Sequence, residues 1–242
     1  MNSDKYHLYT TWNGSTADSV GENAENGFVE FRIIEVGAHN KDVEGDNIVT
    51  FQATHSLPAA SIIATQPSGY SSELGWENSK LKSYLNDTKV EGSILANFSD
   101  SFVSSLQSLT KYSQVKSTTE GAENDMLKSP NNKMWILSEY EYDYASYRFA
   151  ENSKPYAYYT AVSSTVSKQF NANSVLSRAG NKSKNYAQAM QSYTSAWTRS
   201  ADGFIRSTDS WYGWGVLADA GYIGSQAGTG TNLLGVIPCF SM

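Results

Sequence analysis

Trp197-Thr-Arg-Ser-Ala-Asp-Gly203 opens, and Gly235-Val-Ile-Pro-Cys-Phe240 closes, an aromatic, Gly-rich stretch that is the most informative part of the chain. Trp197, Trp211 and Trp214 fall here, among Gly203, Gly213, Gly215, Gly221, Gly224, Gly228, Gly230 and Gly235. Large rings offer contact area at little entropic cost, and Gly lets the backbone turn sharply between them. The combination suits a recognition surface on short strands and loops. Trp214–Ala218 and Tyr222–Ser225 read as strands, with Gly221 at the positive-φ position of a short hairpin loop. Leu233–Phe240 reads as a final strand in which Pro238 marks an edge or a bulge.

Toward the N-terminus, Phe28-Val-Glu-Phe-Arg-Ile-Ile-Glu-Val36 alternates and is rich in β-branched residues, which predicts a strand. Ile48–Ala53 is its hairpin partner across a turn-rich link. Residues 1–27 are polar and read as an arm or tether before a domain spanning 28–242. Leu81, Tyr84 and Leu85 recur at helical spacing, with Ser72 or Glu73 placed to cap the start. A second helix is expected through Phe98, Phe102, Val103, Leu106 and Leu109, with Ser99 or Asp100 near its N-cap. The polar span 113–132 ends in a turn at Pro130, ahead of a short buried strand, Met134–Leu137. Tyr140, Tyr144 and Tyr147 repeat at helical spacing within 139–151. Strands at both ends with helices between them predict an α+β fold.

Composition narrows the function classes. Hydrophobic residues are 40% and charged residues 17%, so Ser, Thr, Asn and Gly carry solubility, as in many β-rich extracellular or virion proteins. The net charge of −6 comes without a basic stripe, which argues against nucleic acid as a partner. No run approaches the ~18 apolar residues of a membrane span. The N-terminus lacks the apolar core of a secretory signal. One cysteine, Cys239, allows neither an intrachain disulfide nor a Cys-built zinc site.

Catalytic and metal signals are weak. His39 and His55 flank a hairpin link holding Asp42, Glu44 and Asp46, without the spacing of a known metal motif, and a solvated turn is expected. The alternating carboxylates Glu139, Glu141 and Asp143 invite a glycosidase reading, which needs two carboxylates ~5–10 Å apart, but neighbours at i, i+2 do not share a helix face and are expected to face water. Cys239, on an apolar strand, reads as a buried, inert thiol. Neither metal nor cofactor is expected, and no nucleophile elbow or phosphate loop is present. Trp76, Trp135 and Trp197 read as core. Phe204, Arg206, Asp209, Trp211, Tyr212, Trp214 and Tyr222 form the candidate ligand surface, with rings for stacking and Arg206 and Asp209 for directional hydrogen bonds.

Five ordered landmarks carry a resemblance. They are Thr50-Phe-Gln-Ala-Thr-His-Ser-Leu-Pro58, Gly75-Trp-Glu-Asn-Ser-Lys-Leu-Lys-Ser-Tyr-Leu-Asn86, Trp135-Ile-Leu-Ser-Glu-Tyr-Glu141, Trp197-Thr-Arg-Ser200 and Gly235-Val-Ile-Pro-Cys-Phe240. Together they resemble an uncharacterised bacterial and phage domain family over about residues 28–242, with Lys82 and Ile237 standing where Arg is usual. The resemblance implies a C-type-lectin-like fold of the branch that includes formylglycine-generating enzymes and retroelement-diversified proteins. Its termini pair in one sheet and its last third displays the ligand surface. The paired cysteines of those enzymes and the calcium motif of sugar-binding lectins are absent. The expectation is a non-enzymatic module of a bacteriophage particle, a tail or head appendage. Its partners would be a host-surface glycan or protein and other virion proteins, a homo-oligomer included. A bacterial cell-surface adhesin domain and a retroelement-diversified binder are the alternatives.

Overall fold

Alternation along Phe28–Val36 builds the central sheet, because successive side chains of a strand point to opposite faces. The computed structural model describes residues 7–11, 27–37, 48–54, 57, 76–91, 93–114, 126–138, 141, 155–158, 160, 195–202, 213–218, 223–227 and 236–242. Strands β1 (His7–Thr11), β2 (Phe28–Val36) and β3 (Val49–Ala53) come first. A 3-10 turn at Trp76–Asn78 leads into helix α1 (Lys80–Asn86), and a second at Leu95–Asn97 precedes α2 (Asp100–Ser105). Then follow β4 (Leu109–Gln114), β5 (Met126–Asn132), β6 (Met134–Trp135), β7 (Ser195–Asp202), β8 (Gly213–Ala218), β9 (Ile223–Ala227) and β10 (Cys239–Ser241).

The described strands form three antiparallel groups, β1-β2-β3-β10-β6, β4-β5 and β7-β8-β9. Among the described residues the class is α+β, dominated by small sheets with few, short helices. Strands from both ends of the chain share the five-stranded sheet. Within the segment read as an arm, His7–Thr11 pairs with β2 and forms one edge of that sheet.

The two faces of this sheet are chemically distinct. Ile33, Phe51, Phe240 and Met134 are aligned across four strands, on the face that carries Phe31. There Phe31 and Phe102 meet Phe240 edge-on, with centroids 4.8 Å and 5.0 Å away, and Phe98 packs on Phe102 at 5.0 Å. Edge-on rings set positive rims against negative faces, so this cluster gains beyond its buried area. The other face aligns Arg32, Gln52, Cys239 and Trp135, and all four are buried. A bulge at Ile33–Glu35 adds one residue to β2 and brings Glu35 opposite Thr50, on the polar side. Without it Glu35 would point into the phenylalanines.

Several expectations are corrected. Helix α1 is capped by Ser79, whose side chain accepts from the Lys82 N–H at 3.0 Å, rather than by Ser72 or Glu73. Ser99 caps α2 as expected, but the helix ends at Ser105, and Leu109 starts a strand because its apolar side chain completes the core from β4. The polar span 113–132 contains the end of β4 and all of β5. Pro130 lies within β5, where a register shift and Asn131 at φ 60° form a bulge that needs no ladder N–H from proline. The terminal strand is only Cys239–Ser241, and it is interior to the sheet. Pro238 stands just before it, its carbonyl accepting from the Ala53 N–H at 2.9 Å.

Candidate functional site

Three of the sequence landmarks meet at one buried charge cluster. Trp135-Ile-Leu-Ser138 runs off β6, and the Ser138 hydroxyl accepts from the Glu141 N–H at 3.2 Å while Glu141 Oε2 accepts from the Ser138 N–H at 2.9 Å. This reciprocal pair has the logic of a helix capping box and fixes the carboxylate. Arg199 of the Trp197–Ser200 landmark then places Nη1 3.0 Å from Oε2 and Nη2 3.0 Å from Oε1. The first contact is a hydrogen bond. The second is an ion contact off the hydrogen-bonding angle.

Lys111 from β4 completes the cluster. Its Nζ donates to the Tyr156 hydroxyl at 2.9 Å, lies 3.8 Å from Glu141 Oε1 and sits 4.1 Å from the centroid of the Trp135 ring. A cation over an indole face is attracted by the ring quadrupole, more so when desolvated. Glu141, Lys111 and Arg199 are 0%, 2% and 1% exposed. Burial, then the charge of Glu141, pushes the Tyr156 hydroxyl well above the usual phenol range. The Cys239 thiol is likewise pushed well up, first by burial and then by Glu141. Both stay protonated at neutral pH.

Glu141 thus corrects the expectation of a water-facing carboxylate, and its role is to neutralise interior cations. The charged groups of the cluster are enclosed and paired with one another. Cys239 is buried as expected. Trp76 and Trp135 are core as expected, at 1% and 0% exposure. Trp76 Nε1 donates to Asn132 Oδ1 at 2.8 Å, and Asn132 Nδ2 donates to the carbonyls of Leu109 and Ser129. Asn86, last residue of the second landmark, accepts from the Lys133 and Met134 N–H groups and donates to the carbonyls of Lys82 and Met134. That uses its full donor and acceptor capacity. Lys82 pairs with Glu77 at 2.6 Å and also reaches the Pro130 carbonyl. Ile237 is an apolar core residue, 2% exposed.

Of the candidate ligand surface, Trp214 lies on β8, opposite Ala201 of β7 and Gln226 of β9. Phe204, Arg206, Asp209, Trp211, Tyr212 and Tyr222 lie outside the described residues, as do His39, His55, Asp42, Glu44, Asp46, Glu139 and Asp143. Trp197 lies on β7, its side chain outside the description. Among the described residues no group of three or more His, Cys, Asp or Glu is placed to hold a metal, and no helix is long and apolar enough to cross a membrane. A second polar cluster went unread in the sequence. Glu30 accepts from Tyr9 and Thr54 at 3.1 Å each, Arg32 donates to Tyr158, and Glu35 accepts from the Ala157 N–H at 2.9 Å. The charged, alternating positions of Phe28–Val36 were its signal.

In its described residues the chain is therefore a small-sheet α+β protein whose landmarks enclose a charged interior. The chain belongs to the family described as domain of unknown function (DUF6273), whose profile matches residues 57–242. No curated protein and no solved structure matches the chain.

Proposed function

We propose that the protein is a non-enzymatic recognition or structural module of a bacteriophage particle, built on a C-type-lectin-like fold. It would sit on a tail or head appendage and contact a host-surface glycan or protein. One observation carries the reading: the described strands β7, β8 and β9, which span the start and middle of the Gly- and ring-rich segment, pair in an antiparallel sheet of their own. The reactive side chains of the described landmarks, by contrast, are enclosed and committed to one another. Terminal strands sharing one sheet, with a smaller sheet late in the chain, support the lectin-like assignment.

Rings at Trp211, Tyr212 and Trp214 supply stacking area in this reading, and Arg206 and Asp209 supply direction. The test compares the parent chain with the Trp211→Ala/Trp214→Ala variant on Gram-positive cells and their extracted wall polysaccharides. Saturable binding by the parent, lost in a variant with an unchanged melting temperature, is expected. A large fall in melting temperature would instead make these rings core. A bacterial cell-surface adhesin domain would bind the same panel, and virion association of the native protein separates the two.

A further inference from the structure

The strand β7 belongs to two structures at once. Trp197 is opposite Val216 and Ala201 is opposite Trp214, so Thr198, Arg199 and Ser200 together face Gly215 alone. This is a wide break in the β7–β8 ladder. At its middle the Arg199 N–H is turned away from β8 and donates to the Leu137 carbonyl at 2.9 Å. Bulges re-aim side chains, and this one sends Arg199 into the interior beside the main sheet.

There the guanidinium reaches three acceptors on two separate stretches of chain. Nε donates to the Tyr112 carbonyl on β4 at 3.2 Å, and Nη1 to the Ile136 carbonyl at 2.6 Å and to Glu141 at 3.0 Å. Glu141 is itself held by Ser138. A planar fork can serve acceptors in fixed directions that an ammonium serves only one at a time. Trp214, the described member of the proposed surface, is paired two residues along β7 from this anchor.

We infer that Arg199 is a positioning residue: its bulge is the joint that fixes the β7-β8-β9 sheet, and with it the ligand surface, to the body of the protein. The inference rests on the recognition reading for its functional half, and on the bulge geometry for its structural half. Space-filling alone would make Arg199 replaceable by any group that restores stability. Positioning would not.

The experiment is amide hydrogen exchange on the full chain, beside thermal melting, for the parent, R199K, R199M and the apolar triple Lys111→Met/Glu141→Leu/Arg199→Met. In R199K a cation still faces Glu141 and the fold persists. Amides of Gly213–Ala218 and Ile223–Ala227 are expected to exchange about tenfold faster, while those of β2 and β3 are unchanged. Removing a whole buried ion cluster often restores stability that breaking it loses. The triple variant is therefore expected to melt above R199M yet keep fast exchange in β8 and β9. Protection that returns together with melting temperature overturns the joint, as does acceleration spread equally over β2 and β8. Binding to extracted Gram-positive wall polysaccharide should weaken about tenfold in R199K, in step with the exchange. A parent chain that binds none of these polysaccharides sinks the recognition reading, while localised exchange upholds the joint independently.

Discussion

Glu141 and Cys239 are the residues whose chemistry depends most on their surroundings. Cys239 was legible as a buried thiol because it sits in an unbroken apolar run. Glu141 was not, because its partner Arg199 is 58 positions away and no local period encodes such a pairing. Both Cys239 and Tyr156 keep their protons in the folded chain at pH values where the unfolded chain loses them. Above the ordinary thiol value of 9.0, the unfolded state therefore binds fewer protons than the folded state, and stability falls as pH rises. The loss deepens past the ordinary phenol value of 10.0. Urea midpoints from about pH 7 to about pH 11 should decline, and Cys239→Ala should flatten the first part of that decline. An alkaline limb identical to the parent's would show that the thiol does not contribute.

At the scale of elements, short helices and a bulged hairpin depend on single side chains. α1 has seven residues, too few to persist without tertiary support, so its cap matters. Ser79→Ala removes the acceptor for the Lys82 N–H in a buried position and should cost about 1 kcal/mol in urea unfolding. Asn131 occupies the left-handed region in the β5 bulge, which Asn tolerates and β-branched residues do not. Asn131→Val should cost about 1–2 kcal/mol, with Asn131→Gly close to neutral, because only the former places a branched Cβ against the backbone there. Equal effects of the two would remove backbone strain as the reason for Asn. Element types came through from pattern wherever alternation or helical spacing was strong, as at Phe28–Val36. Their ends did not: Ser79 caps α1 locally but is one of several polar residues near that start with a similar intrinsic fit, and Leu109 takes its place from packing in the core.

For the molecule as a whole, the N-terminal strand is the test of how far the main sheet extends. β1 covers the edge of β2, and Tyr9 on it donates to the buried Glu30. A chain beginning after Thr11 should unfold at lower urea, and should self-associate in light scattering because a bare strand edge pairs with its own kind. Unchanged stability and a strictly monomeric truncation would show that β1 is dispensable to the sheet.

Local pattern alone determined the class of this protein, the positions of its first two long strands, the first helix, the cap of the second, and the Trp76 and Trp135 anchors. Each is set by side-chain periodicity or by a residue's intrinsic fit to a cap or core, properties that neighbours in sequence carry. The tertiary structure alone decided that β10 lies between β3 and β6 and that β2 carries a charged inner face. It also decided that Trp135, Glu141 and Arg199 converge. Those depend on strand order, on register and on ion pairs closed across the chain. Desolvation makes an unpaired interior charge so costly that distant landmarks are held to one another.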